Sequence, residues 1–343
     1  MGNLHLNACS CQGGQLPFGA MHVLRSLHQI KAAFKRVVVT IGNFDGVHVG
    51  HQALFRKVVD LAAIKGGDTV AITFEPHPMK ILRPNAPLRL ICTLEQKIEL
   101  IKKAGIQWLL VLEFNQKLAR TPAGRFVEQV FVEAIGVEDL VIGYDYAFGK
   151  GREGDRNFLK KMGEIHGFSV HVMDPVVVDG EVVSSTLIRR LVAQGEMRRV
   201  KRCLGRYYQI QGEVRMGKGR GRSVTGFPTA NLSILEDALC PKTGVYCVQV
   251  IFDEKCWGGV MNIGYNPTFG DTGLGAEIHI FDFYGDLYGR PIKVNIIEWI
   301  RGEEKFTGPD ELREQIGRDV EIAKGILIRE MELTGACMDE QSL

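Results

Sequence analysis

The sequence predicts two dissimilar parts in tandem: an α/β domain built on a parallel sheet, then a small antiparallel β-barrel closed by one long C-terminal helix. Three observations predict it. Over residues 37–146, β-branched runs alternate with stretches of helical period, as they do where helices cover a parallel sheet. Beyond residue 206 the runs are short and separated by glycine turns, with no helical stretch between them. The 343 residues also suffice for two cores at about 150 residues each.

Residues 37–41 (VVVTI) form the first strand of the alternation, and Gly42 ends it. Leu54, Val58, Leu61 and Ala62 then recur at helical spacing and stop at Gly66 and Gly67. Strand-like runs follow at 69–74, 108–114 and 139–146, with helical stretches at 94–104 and 122–135 between them. The helix 185–195 (STLIRRLVAQG) leads into a basic connector carrying Arg198, Arg199, Lys201 and Arg202. The barrel strands are expected at 207–215, 244–252, 259–264, 276–283 and 292–300. Pro309 opens the closing helix, whose apolar stripe is Leu312, Ile316, Val320, Ala323 and Ile326. The expected organisation is a disordered extension over 1–20, an α/β domain over 21–190, a linker over 191–205 and a barrel domain over 206–335.

Composition narrows the function. A hydrophobic share of 45% and a charged share of 24% exclude disorder as the main state. Lys+Arg 42 against Asp+Glu 40 leaves +2, so no general basic field draws in nucleic acid, and a bound polyanion must be small and met locally. No apolar run approaches the roughly 18 residues of a membrane helix, and no secretory signal pattern opens the chain. Neither a nucleic-acid nor a membrane partner is expected. The 8 cysteines are dispersed without C-x-x-C spacing, which favours a reducing, cytoplasmic setting over zinc or disulfides. Glycine, 40 residues against an average near about 7%, predicts tight turns or close backbone approaches to a ligand.

GNFDGVHVGH (42–51) leaves the first strand and enters the first helix. His48 and His51, three apart, share a helix face, where free amides and the helix dipole favour an anion. Gly50 between them leaves room for a nucleotide against the backbone. Two satisfied loop histidines, or a metal pair awaiting a third ligand, are the other readings of this spacing. Ser184, Ser185 and Thr186 precede a helical run and form an N-cap cluster able to hold phosphate oxygens, with Arg189 one turn on. In GYDYAFGKGREGD (143–155), Gly149, Gly151 and Gly154 permit a closing loop, while Tyr146 and Phe148 offer an aromatic surface. GEVRMGKGRGRSVTGFPTANL (212–232) lacks P-loop spacing. Its Lys218, Arg220 and Arg222 alternate with glycine as RNA-binding loops do, but Thr229 and Asn231, two apart on an extended chain, point to one side and supply neutral oxygens for Mg2+.

GNFDGVHVGH, TFEPHP (73–78), GYDYAFGKGREGD and VSSTLIRRL (183–191) together, in that order, resemble the nucleotidyltransferase half of the bacterial bifunctional riboflavin kinase/FAD synthetase family. PTAN (228–231), GVY (244–246), NIGYNPTF (262–269), EIHIFDF (277–283), DLYG (286–289) and IRGEEKF (300–306) resemble its riboflavin kinase module. The resemblance spans about residues 21–330. It implies a Rossmann-like nucleotidyltransferase domain that adenylylates FMN with ATP to FAD, and a barrel that phosphorylates riboflavin with ATP to FMN, both with Mg2+. It assigns His48 and His51 to adenylyl transfer and Ser184, Ser185, Thr186 and Arg189 to the ATP phosphates. Asp145 and its loop fall to the flavin nucleotide, and Gly42, Asn43, Phe44, Gly50 and His77 to cofactor binding. In the barrel it makes Glu277 the general base, gives Gly226, Thr229 and Asn231 to ATP with Mg2+ on the last two, and leaves Arg301 and Lys305 either reaching substrate or capping the barrel. The chain departs from the family with Tyr146 and Ala147 where Phe-Arg is common, with Leu187 where Arg is common, and with one extra residue between Arg222 and Gly226. A kinase-only enzyme and a flavin-binding module without turnover are the competing readings.

Overall fold

The computed structural model describes residues 21–30, 34–86, 88–215, 227–235, 237–265 and 274–334. The expected extension over 1–20, the basic loop with Lys218, Arg220 and Arg222, and Gly226 lie outside the described residues. The chain divides into two compact units. Met1–Asn43, Gln52–Arg83 and Ile98–Asp174 form one, and Phe44–His51, Pro84–Lys97 and Pro175–Leu343 form the other.

The first unit holds a six-stranded sheet in which every pairing is parallel. Its strands are β1 (His22–Leu24), β2 (Val38–Ile41), β3 (Thr69–Glu75), β4 (Trp108–Glu113), β5 (Asp139–Gly143) and β6 (Ser169–Met173), in the order β1-β4-β3-β2-β5-β6. Helices α1 (Val49–Lys65), α2 (Pro78–Leu82), α3 (Leu94–Lys103), α4 (Gln116–Ala119), α5 (Ala123–Phe126) and α6 (Arg156–His166) alternate with the strands. A wider, π-type stretch, Val127–Ile135, continues α5 and ends at Gly136 in the left-handed region. β2 is buried along its whole length and β3 along nearly all of it, which is why both read as unbroken apolar runs rather than alternating ones. Val39, Ile41, Ile72, Leu110, Leu140 and Ile142 meet Phe126 and Phe131 in this core. The strand order reverses between β2 and β5, and ligands of such sheets bind outside the carboxyl ends at that point. Those two strand ends lead into GNFDGVHVGH and GYDYAFGKGREGD.

β1 and β6, the two edge strands, escape the sequence reading. β1 is three residues long, and β6 is at best half-buried and carries His171 in its middle, so neither shows an apolar run. His171 and Lys65 both bind the buried Asp139 at the start of β5.

In the second unit a short hairpin, β7 (Val177–Val178) and β8 (Glu181–Val182), precedes α7 (Ser185–Gln194) and α8 (Met197–Leu204). The stretch expected as a linker is therefore largely helical. Met197, Val200, Cys203 and Leu204 are buried at helical spacing, a signal hidden by the four cations among them. Each of those cations has a carboxylate partner: Arg198 with Glu298, Arg199 with Glu181 and Glu196, Lys201 with Glu330, and Arg202 with Asp179.

The barrel closes in the order β10-β13-β12-β11-β14-β9. Its strands are β9 (Tyr208–Arg215), β10 (Ala230–Ser233), β11 (Gly244–Phe252), β12 (Lys255–Tyr265), β13 (Leu274–Ile280) and β14 (Pro291–Arg301), all antiparallel. Closure removes the free edges that a sheet of this size would expose. Alternation then sorts the side chains. Tyr246, Val248 and Val250 of β11 fill the interior with Met261, Ile263, Ala276 and Ile278. Val245 and Cys247 point the other way, onto Val320, Ala323, Ile326 and Leu327 of α9 (Pro309–Thr334). The sequence reading of an α/β sheet domain followed by a helix-closed antiparallel barrel holds.

Candidate active sites

The turn after β2 has a constrained backbone. Phe44, Gly46 and Val47 have φ of 49°, 81° and 41°. A left-handed phenylalanine and a left-handed β-branched valine are costly, and such geometry persists only where surroundings over-determine it. Here they do. The buried carboxylate of Asp45 accepts the Ile91 N–H at 3.1 Å and the Cys92 N–H at 3.4 Å, and it pairs with Arg189. The Gly46 N–H meets the Cys92 sulfur at 3.2 Å. The Asp45 carbonyl accepts from the Ser185 hydroxyl at 3.0 Å. Arg206 donates to the Gly46 carbonyl at 2.8 Å and to the Val47 carbonyl at 3.4 Å.

That turn delivers the two histidines. Their rings stack at 3.6 Å with planes 19° apart, and the edge of Phe44 meets His51 at 5.3 Å. The His51 N–H donates to His48 Nδ1 at 3.4 Å, which leaves Nε2 of the neutral His48 ring to carry the proton. Burial, reinforced by the Arg206 charge, pushes His48 down to about 4. Burial also holds His51 far below the ordinary histidine range, with His48 and Lys97 adding to it. Both rings are thus neutral hydrogen-bonding groups near pH 7, and the cations acting on this turn include Arg189, Arg206 and Lys97. Gly50 has a local reason as well as any ligand reason: a Cβ there would lie 3.1 Å from His48 Nδ1.

The start of α7 adds its own donors. Ser184 is the N-cap, its hydroxyl accepting the Leu187 N–H at 3.1 Å, and Thr186 is exposed in the first turn. Arg189 donates its Nε to the Arg89 carbonyl at 2.8 Å as well as reaching Asp45. His48, His51, Ser185 and Arg189, picked from separate stretches of sequence, are therefore joined through one turn. Asp45, Cys92, Lys97 and Arg206 belong to the same constellation and were missed. Asp45 stood inside the quoted motif, and its signal was an acidic residue amid apolar ones at a strand end.

In the first unit, the Gly42 N–H donates to Ile72 and the Asn43 carbonyl accepts from Thr73 Oγ1 at 3.2 Å, tying the end of β2 to β3. His77 is buried and caps α2, its Nδ1 accepting the Met79 N–H at 3.2 Å. Asp145 is exposed in the loop after β5. The aromatic surface expected from Tyr146 and Phe148 is largely an internal one: the two rings stack at 5.6 Å, and Phe148 also packs on Phe126, Phe131 and Phe158.

The barrel wall carries a second constellation. Glu277 on β13 lies directly opposite Asn231 on β10 and Asn262 on β12. Opposed residues of antiparallel pairs share a face, and Ile278, Ala276 and Leu232 fill the inside, so these three side chains are on the outer face of the wall. Thr229, two residues before Asn231, precedes β10 on the same alternation. His279 anchors that segment: its Nδ1 bonds the Pro228 carbonyl at 2.9 Å, and its ring meets Phe227 edge-on at 5.0 Å. Asn262 went unnoticed in sequence because only the strand register brings it beside Glu277, and His279, two residues past Glu277, because only the pairing of β13 with β10 brings it beside PTAN. Arg301 forks onto Asp319 of α9 at 2.9 and 2.8 Å and donates to the Gly302 carbonyl, the capping arrangement of its two readings. Among the described residues no cluster of three His, Cys, Asp or Glu side chains could cage a metal.

Comparisons with known proteins agree with this division of chemistry. A family model described as FAD synthetase matches residues 30–187, and one described as riboflavin kinase matches 204–327. A bifunctional riboflavin kinase/FMN adenylyltransferase of Pseudomonas fluorescens is 38% identical over 308 residues, covering 89% of this chain and 98% of the relative. Proteins of the same description from Listeria monocytogenes and Escherichia coli K12 are each 36% identical, over 82% and 87% of this chain and 90% and 96% of theirs. A crystal structure of a protein named macrolide-efflux protein, from Streptococcus pneumoniae, superposes with a TM-score of 0.80 at 30% identity, covering 89% of this chain and 98% of that one. Among the described residues no helix is long and apolar enough to cross a membrane. With both family models matched in series and relatives matched over nearly their whole length, the chain belongs to the bifunctional riboflavin kinase/FMN adenylyltransferase family.

Proposed function

We propose that this chain converts riboflavin to FMN and FMN to FAD, each step using ATP. The observation that carries the reading is that both chemical constellations stand in one chain, inside or beside two family matches that follow one another. We assign adenylyl transfer to the domain over 21–190 and the kinase step to 206–335.

In adenylyl transfer, an oxygen of the FMN phosphate attacks the α-phosphorus of ATP and the bond to the pyrophosphate leaving group breaks. The attacking oxygen is already anionic, so no general base is required, and catalysis is positioning plus charge stabilisation. His48 offers an Nε2–H to a phosphate oxygen as a neutral donor. Ser184, Ser185 and Thr186 at the N-terminus of α7 and the guanidinium of Arg189 receive the departing phosphates. Gly42, Asn43, Phe44, Gly50 and His77 line the nucleotide, and Asp145 with its loop takes the flavin end.

In the kinase step, Glu277 removes the proton of the ribityl 5′-hydroxyl as that oxygen attacks the γ-phosphorus and ADP leaves. Gly226 completes the substrate contacts, while Arg301 caps the barrel through Asp319. The neutral oxygens of Thr229 and Asn231 are hard donors beside a carboxylate, which suits Mg2+ brought in on ATP phosphates rather than held in a protein cage. The ion would supply charge neutralisation on the triphosphate. The unpaired thiols of Cys92, Cys203, Cys240, Cys247 and Cys256 suit a reducing cytoplasm, and no nucleic-acid or membrane partner is invoked.

The test is to incubate the pure protein with riboflavin, ATP and Mg2+ and separate the products. FAD supports the reading, FMN alone supports the kinase-only alternative, and neither leaves a flavin-binding module.

A further inference from the structure

Arg206 stands two residues past the end of α8, inside the stretch matched to riboflavin kinase, yet its guanidinium is used on the signature turn of the other activity. It donates to Gly46 and Val47, the two consecutive left-handed residues that set up His48, and to the Leu204 carbonyl at 3.3 Å, where a cation also suits the end of a helix. No carboxylate among the described residues forms an ion pair with it. Turn, histidines and Arg206 all lie in one compact unit. A guanidinium can span two adjacent carbonyls with its fixed fork, and an ammonium cannot hold the same geometry. The left-handed Val47 cannot be held by its own side chain, so the cost of that conformation has to be met from outside the turn.

We propose that Arg206 is a positioning residue for adenylyl transfer: it clamps the Gly46 and Val47 carbonyls so that the stacked His48 and His51 rings are held ready for the ATP phosphates. The adenylyltransferase turn is thus completed by a residue from the riboflavin-kinase stretch of the chain. This rests on the assignment of adenylyl transfer to that turn. The charged and titratable groups acting on the histidine pair are Arg206 on His48, and His48 and Lys97 on His51.

The experiment uses the full chain with Arg206→Met and Arg206→Lys. FAD formation from FMN and ATP, FMN formation from riboflavin and ATP, and the His48 titration by NMR of labelled histidine are followed in each, with His48→Gln to assign the resonance. The expected result for Arg206→Met is a fall of about 10–100-fold in the kcat of FAD formation, the worth of a small misplacement of catalytic groups. FMN formation should stay within about twofold. His48 should titrate at higher pH than in wild type, because a neighbouring positive charge has gone. Arg206→Lys should keep the low His48 titration but recover only part of the FAD rate, having the charge without the fork. Unchanged FAD formation in Arg206→Met, or equal loss of both activities in both variants, overturns the clamp. Should wild type make no FAD at all, the assignment of function has failed; the NMR titration then decides the clamp alone, and an unmoved His48 in Arg206→Met rejects it.

Discussion

The pair Asp45–Arg189 permits a prediction with its magnitude worked from burial. The Asp45 side chain is 2% exposed and that of Arg189 23%, so the two substitutions are not equivalent. Arg189→Met strands a carboxylate that burial alone disfavours, and breaking buried pairs from this side costs about 3–5 kcal/mol. Protonation sets a ceiling. Burial already raises Asp45 above the ordinary 3.8, so neutralising it at pH 7 costs at most about 4 kcal/mol at about 1.4 kcal/mol per pH unit. Asp45→Asn leaves a guanidinium that still donates to the Arg89 carbonyl and reaches water, and the expected cost is about 1–3 kcal/mol, that of a charged hydrogen bond. In the double variant each substitution removes the partner the other strands, so the cost should fall short of the sum by about 1–3 kcal/mol. Acid should rescue the arginine variant. A carboxyl whose folded pKa is raised loses stability as pH rises from its unfolded value towards the folded one, and losing the Arg189 charge raises it further, so lowering pH from 7 to 5 should reduce the Arg189→Met cost. Urea unfolding followed by tryptophan fluorescence at both pH values measures all of this. An Arg189→Met variant no less stable than Asp45→Asn, additive costs, or equal Arg189→Met costs at pH 5 and 7 would refute the reasoning. Both single variants should also slow FAD formation while sparing FMN formation, since Arg189 is anchored through Asp45.

Glu277→Gln should lower FMN formation by about 10²–10⁴-fold, the usual worth of a general base, and leave conversion of supplied FMN to FAD intact, as read by chromatography of the flavins. His51→Ala should do the reverse; a slowed kinase with normal FAD formation would exchange the two sites. Gly46→Ala places a Cβ at φ 81° and 2.7 Å from Ile91 Cγ2, so we expect a loss of about 1–3 kcal/mol in urea unfolding with slower FAD formation. His48 has its folded pKa depressed from 6.5 to about 4, so the unfolded chain binds the extra proton in that window and stability should drop by about 3 kcal/mol from pH 6.5 to 4. His48→Gln should shallow that dependence, and an identical pH profile would show that the ring is not buried neutral.

Much of the fold was legible because its signals are local. Unbroken apolar runs belong to strands such as β2 and β3 that are buried on both faces, and β11 reads as a nearly unbroken run for the same reason, its inner face filling the barrel and its outer face meeting α9. The edge strands β1 and β6 gave no such run, because one is too short and the other packs on one face only. The helix α8 was obscured by its cations, which only their partners Glu298, Glu196, Glu181, Glu330 and Asp179 explain.

For the sites, residue identities at short spacing picked out as candidates the groups His48 and His51, Ser184, Ser185, Thr186 and Arg189, and Thr229 and Asn231, each within a few positions of one another, whereas Glu277 was reached through the resemblance of EIHIFDF to the riboflavin kinase module. The tertiary structure decided what holds them and in which state. Asp45 meets Arg189 across 144 residues and Arg206 meets Gly46 across 160. Asn262 reaches Glu277 only through strand register, Arg301 turns to Asp319, and burial makes both imidazoles neutral. Charge state and long-range pairing depend on what surrounds a side chain in three dimensions, and a linear string of residues carries its neighbours along the chain but not those across the fold.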